Sequence, residues 1–217
     1  MLYEAPRRGS PSQVMSEATT ILVDTEIERD DAAAAATDLY LHLVGDGVMA
    51  ALPERDGDTR FRVLDPRFIE ETGVRAISLH ASGHRWQLDA ANGAHLVDGG
   101  PENGIFCRYD AGFSIRCPEC RATLALGDEG SEALEEALAV WCDAPDSAYV
   151  ACPTCATWSA LQLWRSPAHD FAVGHFAITL YGSHLKGLLG GHEHAATALR
   201  HRLGDLAGDY AVVFANA

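Results

Sequence analysis

Cys117-Pro118-Glu119-Cys120 and, thirty-one residues further on, Cys152-Pro153-Thr154-Cys155 are the stretches on which the reading of this 217-residue chain turns. Each is a Cys-x-x-Cys turn with proline after its first cysteine, and each follows a run of β-forming residues. A turn of this kind points two thiolates at one ion, so two of them supply the four sulfurs of a tetrahedral zinc site. Disulfides use the same residues less well, because cysteines on one tight turn form only a strained bond. A thioredoxin-like redox pair calls for a single motif at a helix N-terminus in a βαβ unit. The expected ligands are therefore Cys117, Cys120, Cys152 and Cys155, around a structural Zn²⁺.

With two knuckles of this form the chain resembles the zinc-ribbon class over residues 105 to 165, one β-hairpin carrying the first knuckle and a second hairpin the other. The resemblance implies a local structure and assigns no activity, since zinc ribbons occur in many unrelated proteins. This chain departs from the usual pattern in two ways. Arg121 and Ala156 stand where glycine usually follows each knuckle, and the segment between the knuckles is long enough for a helix.

That helix is expected over Ser131 to Trp141, with Leu134, Leu138 and Trp141 on one face and Glu132, Glu135 and Glu136 turned outward. Asp128, Glu129 and Glu132 near its start complement the helix dipole. Cys142 reads as a small buried apolar residue. Just upstream, Gly104 to Tyr109 and Phe113 to Cys117 read as a hairpin closed by Asp110-Ala111-Gly112, which would set Cys107 across from Ile115. Cys107 is then a core or near-site thiol, because four sulfurs already satisfy an ion.

Outward from the knuckles the period alternates between strand and helix. Residues 1 to 18 carry prolines, serines and arginines without periodicity and read as disordered. Thr20 to Ile27 reads as a strand, and Asp30 or Asp31 as the cap of a helix with Ala32, Ala35, Leu39 and Leu43 in line. Gly45 and Gly47 stop or break that helix before Ala51, and Arg60 to Leu64 completes a strand-helix-strand unit. Val74 to His80, Arg85 to Leu88 and Ala94 to Val97 have the period of two expected of antiparallel strands. Beyond the second knuckle, Trp158 to Trp164 reads as a strand. Asp170 to Tyr181, a helix from His192 to Leu203 and Tyr210 to Phe214 then form a second strand-helix-strand unit, a pseudo-repeat of the first by length and order.

Composition narrows the class. A hydrophobic share of 47 % is ample for one core, and no apolar run approaches the roughly 18 residues of a membrane span. Arg7-Arg8 lacks the apolar stretch that a twin-arginine leader needs after it, and four of six cysteines in metal spacing suit a reducing compartment, so a cytoplasmic location is expected. One lysine among sixteen basic residues, with much alanine and glycine, points to a high-GC bacterial gene. The net charge is −15, and residues 117 to 156 hold eight acids against the single base Arg121. Four thiolates on a divalent ion add a further −2, so direct binding to a phosphate backbone is disfavoured.

The ten histidines are the material for an enzyme. His80, His84 and His95, or His192, His194 and His201, are the sets that could hold a second metal, but neither has the His-Glu-x-x-His form. There is no Gly-x-Ser-x-Gly elbow, no phosphate loop ending in Gly-Lys-Ser/Thr and no dinucleotide fingerprint. A zinc deaminase needs His-x-Glu or Cys-x-Glu at a helix start, and His192-Glu193-His194 has neither that form nor that order.

The expected fold is α+β, a mainly antiparallel or mixed sheet with flanking helices, residues 19–217 forming one domain with a zinc-ribbon-like Cys₄ insert at 105–165. The expected function is that of a non-catalytic acidic zinc protein. It would bind a protein with a basic surface, as an immunity or inhibitor protein binds a basic toxin or nuclease, and have no membrane partner. The alternatives are a zinc-ribbon accessory of a nucleic-acid machine and a metal-dependent enzyme using the histidines.

Overall fold

Seven residues rich in β-branched side chains, Ala18–Asp24, form the strand (β1) around which the larger half of the molecule assembles. Leu22 points to one side of it and Ile21 and Val23 to the other, so both faces carry apolar groups and both are covered. The computed structural model describes residues 18–51, 62–81, 84–89, 93–96, 104–107, 112–127, 131–182 and 210–216. After β1 come α1 (Ala32–Gly45), β2 (Met49–Ala51), β3 (Arg62–Leu64), α2 (Pro66–Thr72), β4 (Ala76–Ala81), β5 (His84–Asp89), β6 (Gly93–Leu96) and β7 (Ile105–Cys107). Next are β8 (Ser114–Arg116), β9 (Thr123–Ala125), α3 (Glu132–Asp143), β10 (Tyr149–Ala151), β11 (Trp158–Ala160), β12 (Phe171–Val173), β13 (Phe176–Tyr181) and β14 (Ala211–Asn216).

The architecture is α+β. Six strands pair in the order β14-β1-β13-β4-β5-β6, antiparallel at every step. On one face α1 buries Ala32, Ala36, Leu39 and Leu43, and α2 buries Phe68, against Leu22, Ile77, Leu79, Ile178 and Leu180. Fully burying one such Leu, Ile or Phe contributes roughly 1.5–3 kcal/mol. The opposite face is thinner: Phe106 and Ala172 pack there on Val23, Ala177, Ala211 and Val213.

Several elements differ from the sequence expectation, each for a local reason. The first helix stops at Gly45, and the chain turns directly into β2, which pairs with β3. The anticipated strand-helix-strand unit is therefore absent, β3 joining β2 and not β1. The helix α2 was not anticipated, although Asp65 accepts the Arg67 amide at 2.7 Å, Pro66 opens the first turn and Gly73 closes it at φ 72. Residues 170 to 181 form two strands in different sheets. Gly174 divides them where a β-carbon would lie 2.3 Å from the Asp24 carbonyl, a close approach only glycine permits. Residues 1–17 and the anticipated helix from 192 to 203 lie outside the described residues, and among the described residues no helix is long and apolar enough to cross a membrane.

The predicted β7–β8 hairpin is also replaced. Cys107 pairs with Phe171 and Ile115 with Leu124, so β7 joins β12 and β8 joins β9. Stacking of Phe113 on Phe171, with centroids 4.3 Å apart, and burial of Phe106 beside Ala172 favour the long-range pairing. Trp158 to Trp164 stays extended only through Ala160, because Leu161–Leu163 curls into a 3₁₀ turn that buries Leu161 and Trp164.

His80 is buried between the sheet and Phe106, its Nε2 2.9 Å from Thr179 Oγ1 and its ring edge-on to Phe106 at 5.5 Å. Desolvation, with Arg85 beside it, lowers its pKa from 6.5 to about 4. Below pH 6.5 the unfolded chain takes up a proton that the folded chain refuses until about pH 4, so stability falls with acidification across that window. The loss should be on the order of 3 kcal/mol. Denaturant titrations of the native chain and of His80→Asn at pH 7 and pH 4 check this: the variant should lack that part of the decline.

Candidate metal centre

The smaller half of the molecule, which carries the four cysteines, packs on a core of its own. Phe113, Ile115, Leu124, Leu134, Trp141, Val150, Leu161, Trp164 and Phe171 are buried together, with Cys117 and Cys152 at the edge. Trp141 and Trp164, each 1 % exposed, are the largest of these. The helix α3 presents Leu134, Ala137 and Trp141 inward, while Glu132, Glu135 and Glu136 are exposed. Ser131 accepts the Gly127 amide at 3.2 Å and donates to Glu135 at 3.1 Å, which ties the helix start to the end of the first hairpin. Cys142, expected to be buried, is exposed, because Trp141 already occupies the inward position at this last turn. Cys107 is half-buried against the same core.

The two hairpins are built alike. The first knuckle joins β8 to β9 and the second joins β10 to β11. In the first, the Cys117 amide donates to the Ala122 carbonyl at 2.9 Å and the Arg121 amide to the Cys117 carbonyl at 3.1 Å. The second repeats this with Cys152 to Thr157 at 3.0 Å and Ala156 to Cys152 at 2.8 Å. The residue after each knuckle is left-handed, Arg121 at φ 65 and Ala156 at φ 57. The conformation that glycine usually supplies is thus kept without glycine, at a cost on the order of 1 kcal/mol each.

At the hairpin tips all four sulfurs lie within 4.8 Å of one another, with Cys117 to Cys155 at 3.9 Å and Cys120 to Cys152 at 3.6 Å. None is in a disulfide. A tetrahedral ion with metal–sulfur bonds of about 2.3 Å needs sulfurs about 3.8 Å apart. The four cysteines could therefore hold one metal ion, and they are consistent with a zinc-binding knot. Cys117 and Cys152 are buried and Cys120 and Cys155 exposed, so one sulfur of each turn faces the core and the other the rim.

Backbone amides face the outer pair. The Thr157 hydroxyl and amide hold Cys155 down to about pKa 6. Cys120 receives the Ala122 amide, which lowers its pKa, but desolvation and hydrogen bonds with Cys152, Cys155 and Cys117 outweigh that and push it up to about 12. Amide donors aimed at sulfur stabilise the thiolate that a metal requires.

Among the described residues this is the one group of three or more His, Cys, Asp or Glu side chains placed to share an ion. His80 and His84 do not converge on a metal: His80 is engaged with Thr179, and His84 stacks on Trp86 at 5.8 Å. His192, His194 and His201 lie outside the described residues, as does the side chain of His95. Two further features were missed in the sequence. Tyr149 and Trp158 project from the outer face of the second hairpin at 49 % and 68 % exposure, and Arg116, Arg121 and Arg165 line a cleft beside the first. The period-two patterns Tyr149-Val150-Ala151 and Trp158-Ser159-Ala160 held the signal for the aromatic pair.

Comparison with known proteins gives no matching family model, no matching curated protein and no matching solved structure.

Replacing Cys152 by Ser should abolish metal retention and unfold this half of the molecule, because the binding energy of such a site is folding energy. Cys107→Ala and Cys142→Ala should keep a full complement of metal. Elemental analysis of each purified variant, with near-ultraviolet circular dichroism of the tryptophans, reads both results. Ala156→Gly should be neutral or stabilising by up to about 1 kcal/mol, the reverse of the usual penalty, in denaturant melts of the metal-loaded protein.

Proposed function

We propose that this protein is a non-catalytic adaptor, stapled by one Zn²⁺ on Cys117, Cys120, Cys152 and Cys155, that binds another protein through a surface of opposite, basic charge. An immunity or inhibitor protein acting on a basic toxin or nuclease fits this description. The supporting observation is the outward-facing pair Tyr149 and Trp158. In the β10–β11 register Tyr149 lies opposite Ala160 and Ala151 opposite Trp158, so both aromatics stand on one face with only alanines between them. Large aromatics at such exposure are typical anchors of protein interfaces. The helix α3 packs on the inner, Val150 side of β10, and its own outer face exposes Glu132, Glu135, Glu136 and Asp143.

An exposed indole suits a partner that presents Lys or Arg, which can stack on it. Four thiolates leave zinc no open position for water or substrate, which supports a structural role for the ion. The acidic total charge would speed encounter with a basic partner by long-range attraction. The three arginines beside the first knuckle favour the alternative, a zinc-ribbon accessory of a nucleic-acid machine. They are few in a chain of 31 acids against 16 basic residues, so the protein-binding reading is preferred.

Partners captured from the native host with the wild-type chain and with Trp158→Ala, each at low and high salt, test the proposal. Binding of a basic protein should weaken at least tenfold in the variant and fall as ionic strength rises. Capture of polymerase-type machinery would establish the alternative. A reaction lost in His80→Asn or His84→Ala would establish an enzyme.

A further inference from the structure

Between the first knuckle and the segment after the second hairpin lies a cleft of about 200 Å³ lined by Arg116, Pro118, Arg121, Leu163, Arg165, Ser166 and Pro167. Three guanidinium-bearing residues converge on it, and none of its lining residues is an acid. In a chain with 31 acids against 16 basic residues, this concentration of positive charge runs against the composition.

The backbone brings the arginines together. Arg116 and Arg165 form an antiparallel bridge, with the Arg116 amide donating to the Arg165 carbonyl at 2.9 Å. Arg121 is itself the left-handed residue that closes the first knuckle, and that backbone turn carries its side chain in. Arg165 is held in place: its guanidinium donates to the Gln162 carbonyl and, at 2.8 Å, to Thr25 Oγ1. Partial burial lowers its pKa and Glu26, close enough to act on it, raises it. Ser166 is buried, and its hydroxyl donates to the Asp170 carboxylate behind the cleft wall. Among the described residues, neither Arg116 nor Arg121 forms a side-chain ion pair or hydrogen bond.

We propose that this cleft binds a phosphate-class dianion, as free phosphate or as the terminal phosphate of a small monoester. Arg165 is engaged by Gln162 and Thr25, which leaves Arg116 and Arg121 as the freer forks for the ligand. Arginine forks match phosphate oxygens bidentately, and the Pro118, Leu163 and Pro167 walls reduce competition from water. A phosphodiester carries one negative charge and fewer free oxygens, so the site should discriminate against it. The inference is independent of the partner reading. The competing account is that the arginines merely balance the charge of a metal–thiolate centre next to them.

The test is an isothermal titration of the zinc-loaded full chain with inorganic phosphate, with phenyl phosphate and with a dinucleotide carrying a single phosphodiester, at pH 8 and low salt. Phosphate should bind, and phenyl phosphate decides between the two sources: tighter binding assigns a monoester, weaker binding the free ion. The dinucleotide should bind at least tenfold more weakly than the better of these. Arg121→Gly, which suits the positive φ, and Arg165→Gln should each reduce phosphate affinity about tenfold or more, with zinc content unchanged. Arg121→Lys, which keeps the charge but not the fork, should recover only part of it. No phosphate binding by the native chain overturns the proposal. So does a dinucleotide that binds as tightly as the dianions, which would assign the cleft to a nucleic-acid backbone. Loss of zinc from both arginine variants would also overturn it, in favour of charge balance.

Discussion

The meeting of four sulfurs at the tips of two hairpins is the constraint on which the smaller half of this molecule depends. Each hairpin has only three residues in each strand, too little to be stable alone in water. Bringing Cys117 and Cys120 against Cys152 and Cys155 closes the long loop that contains α3, and Trp141 then has a pocket to fill. The link also acts in the other direction. Packing of Trp141, Trp164 and Leu134 sets the hairpins at the distance where the sulfurs reach a tetrahedral spacing.

The β7–β12 ribbon joins this half to the six-stranded sheet, and small residues allow the close approach. Gly104 and Gly174 face each other so closely that a β-carbon on Gly104 would sit 2.2 Å from the Gly174 carbonyl, while Gly174 also touches Asp24 of β1. The pair β7–β12 therefore lies directly on the sheet, with Phe106 and Ala172 facing it and Phe171 and Val173 facing the core beneath the four cysteines. One two-stranded ribbon thus serves both cores by the ordinary alternation of a strand. His175, stacked on Trp141 at 5.2 Å, adds a second contact across the same junction. Its pKa is lowered by desolvation first, with Asp146 opposing and Arg29 assisting, so the ring there is an uncharged aromatic surface.

The charge distribution has the same two-part character. Carboxylates dominate the exposed face of α3, whereas the first hairpin collects arginines. A net charge of −15 describes neither surface well, because an averaged count hides the separation that folding produces.

Sequence alone determined what depends on neighbours in the chain. The clustering of the four cysteines was legible because a Cys-x-x-Cys turn is a local geometry. The helix α3 was legible because Leu134 and Trp141 recur at helical spacing, and β4 because Ile77-Ser78-Leu79-His80 alternates apolar and polar side chains, although both of its faces are buried. The α2 start was legible too, in Asp65-Pro66 and Gly73, and was overlooked. What only the tertiary structure decided was pairing between segments far apart. Cys107 faces Phe171 instead of Ile115, and Asp170 to Tyr181 divides at Gly174, because Phe113, Phe106 and the Asp24 carbonyl compete for positions that no local pattern encodes. The arginine cleft belongs to the same category. Arg116 and Arg121 flank a visible motif, but Arg165 reaches them only through a bridge across nearly fifty residues of chain, and such a contact is set by the packing of two hairpins on one core.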